Sequence, residues 1–104
     1  MIIEFNTVYG KVPEKLINDS RKQIMSVIHV DKKIRRAEVT LREDKMFTPG
    51  ENKVCSIKLL LFGDNIVIHT RRESFETAIG EAIKELEERV KRQATRQKYA
   101  AMVA

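Results

Sequence analysis

The sequence predicts an α/β chain of the α+β kind, in the order β-α-β-β-β-α, with a four-stranded sheet and two helices on one face. Three observations predict it. Apolar residues recur at helical spacing in two stretches, one around residue 20 and one from residue 75 onward. Between them Ala37, Val39 and Leu41 alternate with Glu38, Thr40 and Arg42, the period-2 pattern of a half-buried strand. Two further apolar stretches follow, separated by turn-forming residues, so three consecutive strands are close enough to form an antiparallel meander.

Met1 to Phe5 is short, apolar and partly β-branched, which suits an opening strand. Pro13 sits where a first helical turn tolerates proline. The stripe Leu16, Ile17, Ile24, Val27 and Ile28, with Ser20 in its path, predicts a helix over Pro13 to Ile28. Asp31 to Arg36 (DKKIRR) reads as a charged connection to the strand at Ala37, and Thr48 to Asn52 as a loop. Val54 to Phe62 is the next strand, with Cys55, Ile57, Leu59 and Leu61 on one face. Gly63-Asp64-Asn65 makes a tight turn into a strand over Ile66 to Arg71.

The last helix is the strongest pattern. Ser74 is its N-cap, and Phe75, Ala78, Ile79, Ala82, Ile83, Leu86 and Val90 form one apolar stripe. Gly80 interrupts it, and close packing of the helix on the sheet explains a glycine there. Helical composition persists to about Lys98. Such a helix measures roughly 37 Å at about 1.5 Å per residue, so its end projects beyond the sheet. The 104 residues form a single domain, with a core over about 1–92 and a basic extension and tail over 93–104.

The composition argues against catalysis. His29 and His69 lie 40 residues apart, and Cys55 is the only cysteine, so no metal-binding spacing and no disulfide exist. Cys55 shares a face with Ile57 and Leu59 and reads as a packed hydrophobe, His69 as a polar strand residue. The four glycines are scattered, leaving no phosphate-cradling loop. Neither a cofactor nor a small-molecule substrate is expected. The longest apolar run, Leu59 to Phe62, is too short to span a membrane, and the N-terminus lacks the layout of a signal peptide. A lone cysteine and no export signal predict a cytoplasmic location.

Charge points to a polyanionic partner. Lys plus Arg number 20 against 15 acids, a formal charge of +5. Its placement is uneven. Ser74 to Glu88 carries five acids and one base, whereas Arg89 to Lys98 carries five bases and no acid. Complementing the helix dipole accounts for one turn of such bias, not for nearly three. Lys84, Lys91 and Lys98 recur every seven residues, and Arg89, Arg92 and Arg96 line a flank of the apolar stripe. Rows of this kind follow a phosphate backbone, although a solvated helical tail accounts equally well for this feature alone. Lys15, Arg21 and Lys22 lie on the outer side of the first helix, and Lys32, Lys33, Arg35 and Arg36 follow it. With both helices on one sheet face, these sets form one basic surface. With 6% aromatic residues and no Trp, recognition of structured RNA by backbone and shape fits better than base stacking along a single strand.

The strand AEVTL at Ala37 to Leu41, the element order, and ESFETAIGEAIKELEERVKR from Glu73 to Arg92 together resemble the bacterial ribosome hibernation-promoting factors. That family is also called protein Y, ribosome-associated inhibitor A, or sigma-54 modulation protein. Ala78-Ile79, Leu86-Glu87 and Lys91-Arg92 occupy places matching the family's last helix. Ser74, Glu76 and Gly80 stand where many members have Asp, Tyr and Asp, and Glu85 where they have Lys.

The resemblance implies a domain similar to double-stranded-RNA-binding domains. It would sit on the small ribosomal subunit between head and body, its basic helix residues on ribosomal RNA, excluding mRNA and tRNA in stationary phase or stress. The tail AAMVA implies a short form, without the dimerisation domain of long forms, and a second hibernation factor stays open as a partner. The alternative from the residues alone is a protein-interaction module that docks on a transcription factor through the meander face or a sheet edge.

Overall fold

Six elements follow one another in the order the periodicity predicts: β1 (Ile2–Val8), α1 (Glu14–Ile28), β2 (Ile34–Glu43), β3 (Lys53–Leu61), β4 (Asn65–Arg72) and α2 (Phe75–Val103). The computed structural model describes residues 2–8, 11–29, 34–44, 50–61 and 65–103, with side chains from residue 3 onward and as far as residue 92. Lys32, Lys33, Phe62 and the Gly63-Asp64 half of the predicted turn lie outside the described residues.

The sheet has the strand order β1-β2-β3-β4. β2, β3 and β4 form the antiparallel meander, while β1 pairs with β2 in parallel. A parallel pair needs a crossover, and α1 supplies it. Register aligns the apolar positions across all four strands: Phe5 lies beside Val39, Val39 opposite Ile57, and Ile57 opposite Ile68. These side chains face the helices. Val39, Ile57 and Ile68 are at most 1% exposed. α2 lies across β3 and β4, and α1 packs against α2 and reaches β1. Ile24 and Ile28 of α1 meet Ile79, Leu86 and Val90 of α2 in the same core. Each such side chain contributes about 1.5–3 kcal/mol on burial. The domain is therefore one mixed sheet with a single covered face.

Local chemistry sets the helix boundaries. Pro13 is the N-cap residue of α1 and not part of its first turn, with ψ 136° and a carbonyl that accepts the Ile17 amide at 3.2 Å. Ser20, the polar break in the α1 stripe, is buried because its hydroxyl donates to the Leu16 carbonyl at 2.6 Å. Ser74 caps α2 as predicted, its Oγ accepting the Thr77 amide at 3.2 Å. Thr70 Oγ1 donates to the Ala78 carbonyl at 2.7 Å and ties β4 to the first turns of α2.

The structure corrects four expectations. β1 runs to Val8 instead of stopping at Phe5, because Asn6, Thr7 and Val8 continue the parallel pairing with Thr40, Leu41 and Arg42. The connection expected over Asp31 to Arg36 ends early, since Ile34, Arg35 and Arg36 already belong to β2. Ile34 is 3% exposed and pairs with Leu61, so burying an isoleucine outweighs the charged neighbours. Gly80 is not at a close approach: it is exposed, and an added Cβ would meet nothing within 4 Å. The buried stripe passes through Ala78, Ile79, Ala82 and Ile83 and leaves position 80 outside it. α2 extends to Val103, five residues past the expected end. Its last described core residue is Val90, so the helix continues about 20 Å beyond the core at about 1.5 Å per residue. That overhang agrees with a long axis of 51 Å against 24 and 19 Å.

Candidate nucleic-acid interface

Side chains on α1 and α2 that miss the apolar stripes point outward, and the two helices lie side by side. Lys15 and Lys22 are seven residues apart, on one ridge of α1, and both are exposed. Lys84 and Lys91 repeat the spacing on α2 and are also exposed. The helix pair leaves a groove between these ridges, of about 530 Å³, with Lys22 on one wall and Lys91 on the other. Lys91 Nζ lies 3.1 Å from Glu87 Oε1, one turn earlier, and its side chain keeps 74% exposure. An exposed pair of this kind contributes a few tenths of a kcal/mol. A pair so exposed and so weak is exchanged for contact with another anion at little cost.

The other predicted basic residues distribute unequally. Arg21 is on the opposite flank of α1, its guanidinium 5.3 Å from the centre of the Phe5 ring. Arg89 and Arg92 are exposed on α2, on the flank away from the Lys84–Lys91 ridge. Arg96 and Lys98 belong to the α2 overhang, with side chains outside the described residues. Arg35 is the extra residue of a β-bulge: Ile34 pairs with Leu61 and Arg36 with Leu60. That bulge lets Ile34 face the core and sends Arg36 to the helix-free face of the sheet. There Arg36 meets the Glu4 carboxylate and lies 3.1 Å from Glu38 Oε1. Arg36 thus does not join the helical surface expected for it.

The helix-free face has its own pattern. Register places Thr40, Ser56 and His69 in one row across it, with Arg42, Val54 and Arg71 in the next. Ser56 Oγ and His69 Nδ1 are 2.7 Å apart, so His69 is a cross-strand polar partner as its strand position predicts. Cys55, on the covered face, is wholly buried, and desolvation pushes its thiol up to about 12 from an ordinary 9.0. A thiol so raised supplies no thiolate near neutrality. Among the described residues no group of three or more His, Cys, Asp or Glu is placed to hold a metal ion, and no helix is long and apolar enough to cross a membrane.

Reasoning from charge alone missed the groove's uncharged residues. Gln23, Ser26 and Val27 line it from α1, Ile83 and Val90 from α2. Their signal was helical spacing next to Lys22 and Lys91, but which flanks of two helices face one another is a tertiary fact.

A family model described as sigma 54 modulation protein / S30EA ribosomal protein matches residues 6–98. Among solved structures, the fold is similar to a ribosomal subunit interface protein from Coxiella burnetii, with a TM-score of 0.76 at 12% identity, covering 91% of this chain and 99% of that one. It is also similar to the N-terminal domain of Thermus thermophilus Protein Y, with a TM-score of 0.71 at 18% identity, covering 88% of this chain and 98% of that one. A comparison with curated proteins finds no match. The family model spans most of the sequence, and the chain therefore belongs to the sigma 54 modulation protein / S30EA ribosomal protein family.

Proposed function

We propose that this chain is a cytoplasmic, ribosome-associated hibernation factor, a single ribosome-binding domain that sits on the small subunit and excludes mRNA and tRNA under stress or in stationary phase. The observation that carries this reading is the pair of lysine ridges, Lys15–Lys22 and Lys84–Lys91, facing outward beside one groove. Arg89 and Arg92 add basic groups on the other flank of α2, and Arg96 and Lys98 continue the basic run on the overhang. Lysines spaced by two helical turns repeat about every 10 Å, and each phosphate they neutralise adds salt-dependent affinity. Arg36 has no part in this surface. Its guanidinium is engaged by Glu4 and Glu38 on the other side of the sheet. The mechanism is steric occlusion by a rigid domain, with no chemical step.

The test is sucrose-gradient sedimentation of a stationary-phase lysate with the protein followed through the fractions. Co-migration with small subunits that is lost as salt rises is the expected result. Protein remaining at the top of the gradient while small subunits sediment normally would refute the reading. Lys91→Glu combined with Arg92→Glu should leave the fold intact, since both are exposed, and abolish binding. Unchanged affinity would remove α2 from the interface.

One observation favours a second reading, a module docking on a transcription factor: Val67 is 55% exposed on the helix-free face, on the edge strand β4. Binding to a purified protein partner that survives RNase would support it.

A further inference from the structure

The groove between α1 and α2 has features that phosphate binding does not need. Its floor is apolar, made by Val27, Ile83 and Val90. Its volume of about 530 Å³ falls within the range of clefts that accept small organic groups, about 300–1,000 Å³. A flat row of phosphates would touch the lysines and leave this floor uncovered. At the α1 rim stand the Gln23 amide and the Ser26 hydroxyl, one residue and four residues along from Lys22.

We infer that the groove receives a single unstacked RNA base. The base lies against the Val27–Ile83–Val90 floor while Lys22 and Lys91 hold the phosphates on either side of it. Each part of a nucleotide finds a matching group. The base face is apolar and covers the floor. The base edge carries donors and acceptors, which an amide and a hydroxyl satisfy together. The flanking phosphates are anions, and the two lysines stand on opposite walls of the groove. Glu87 also lines the α2 wall, paired with Lys91, so a phosphate there takes the place of an exposed ion pair worth little. Extruded bases are held elsewhere between apolar side chains in the same manner. A protein side chain would also fit the floor, but it would not call for cations on both walls.

The inference rests on the RNA-binding reading of this face and adds a base subsite to it. The test titrates the full ¹⁵N-labelled chain with adenosine monophosphate, uridine monophosphate and ribose 5-phosphate, reading amide shifts. Both nucleotides should shift the amides of Val27, Ile83 and Val90 in a saturable way. Ribose 5-phosphate has the same phosphate and no base, and should bind there about tenfold more weakly, the loss expected when roughly 55 Å² of apolar contact with the floor is absent. Equal shifts from all three compounds, or an unmoved floor, would overturn the subsite.

Ser26→Phe then fills the groove from an exposed position. It should remove the nucleotide shifts and weaken small-subunit binding about tenfold, the same loss of apolar contact, with the salt dependence unchanged because the phosphate contacts remain. The two readings fail differently. A chain that binds nucleotides in the groove but never sediments with small subunits keeps the subsite and loses the ribosomal role. One that sediments while its groove ignores nucleotides loses only the subsite. Weaker subunit binding by Ser26→Phe together with a groove unmoved by nucleotides would put a protein side chain there and overturn the proposal.

Discussion

Gly80→Ala should stabilise the domain, and the size of the gain follows from the surroundings of that residue. Position 80 lies inside α2, six residues after the Ser74 cap, where glycine is less favourable than alanine by about 1 kcal/mol. Part of that difference is the extra freedom that glycine returns to the unfolded chain. A clash would reduce the gain, but an added Cβ meets nothing within 4 Å, so the full ~1 kcal/mol should appear. That energy shifts the ratio of folded to unfolded molecules about fivefold. In a domain of this length it raises Tm by about 4 °C. Urea unfolding followed by circular dichroism measures it directly, with a midpoint rise of about 0.5–1 M at unchanged slope. Ala82→Gly is the control. It has the same chemistry reversed, two residues along on the fully buried stripe, and should cost about 1 kcal/mol or more. A midpoint for Gly80→Ala that stays put or falls, at constant slope, would refute the account of α2 as a regular helix whose outer side is open at residue 80.

Three other outcomes follow from single contacts. Ser74→Ala removes the acceptor for the Thr77 amide and should cost about 1 kcal/mol in the same urea assay, with Ser74→Asp recovering most of it. Cys55 should resist thiol reagents in the native state and react only at the rate of unfolding. Because burial raises its pKa to about 12, the contribution of the neutral thiol is complete below pH 9 and is lost as pH climbs toward 12. Comparing wild type with Cys55→Ala over that range should show a steeper fall for wild type, and parallel curves would contradict the assignment. Arg36→Ala should leave small-subunit sedimentation unchanged, because its partners Glu4 and Glu38 lie on the helix-free face. A loss as large as that from Lys91→Glu with Arg92→Glu would bring that face into the interface.

Much of this domain is legible in the sequence because its signals are local. A hydrophobic stripe with period 3.6 specifies a helix wherever it occurs, and α1 and α2 start and bury as their stripes demand. Alternation at Ala37, Val39 and Leu41 likewise names a strand and its inward face. The Ser74 cap is a contact between residues three apart. The family resemblance was legible for a related reason, since ESFETAIGEAIKELEERVKR is one unbroken stretch.

Contacts between elements distant in sequence were decided elsewhere. The parallel pairing of β1 with β2 lengthens β1 through backbone hydrogen bonds that make no demand on side-chain polarity, so no pattern announced Asn6 to Val8. A one-residue bulge at Arg35 reassigns Ile34 to the core and Arg36 to the far face, and alternation cannot foresee a slip in register. Sequence by itself determined which residues of α1 and α2 are basic and that they avoid the apolar stripes. Only the tertiary structure decided that the Lys22 and Lys91 flanks face each other while Arg21 turns toward Phe5. The rotation of one helix relative to another is set by how their buried side chains interlock over the sheet, a condition on both stripes at once that neither expresses alone.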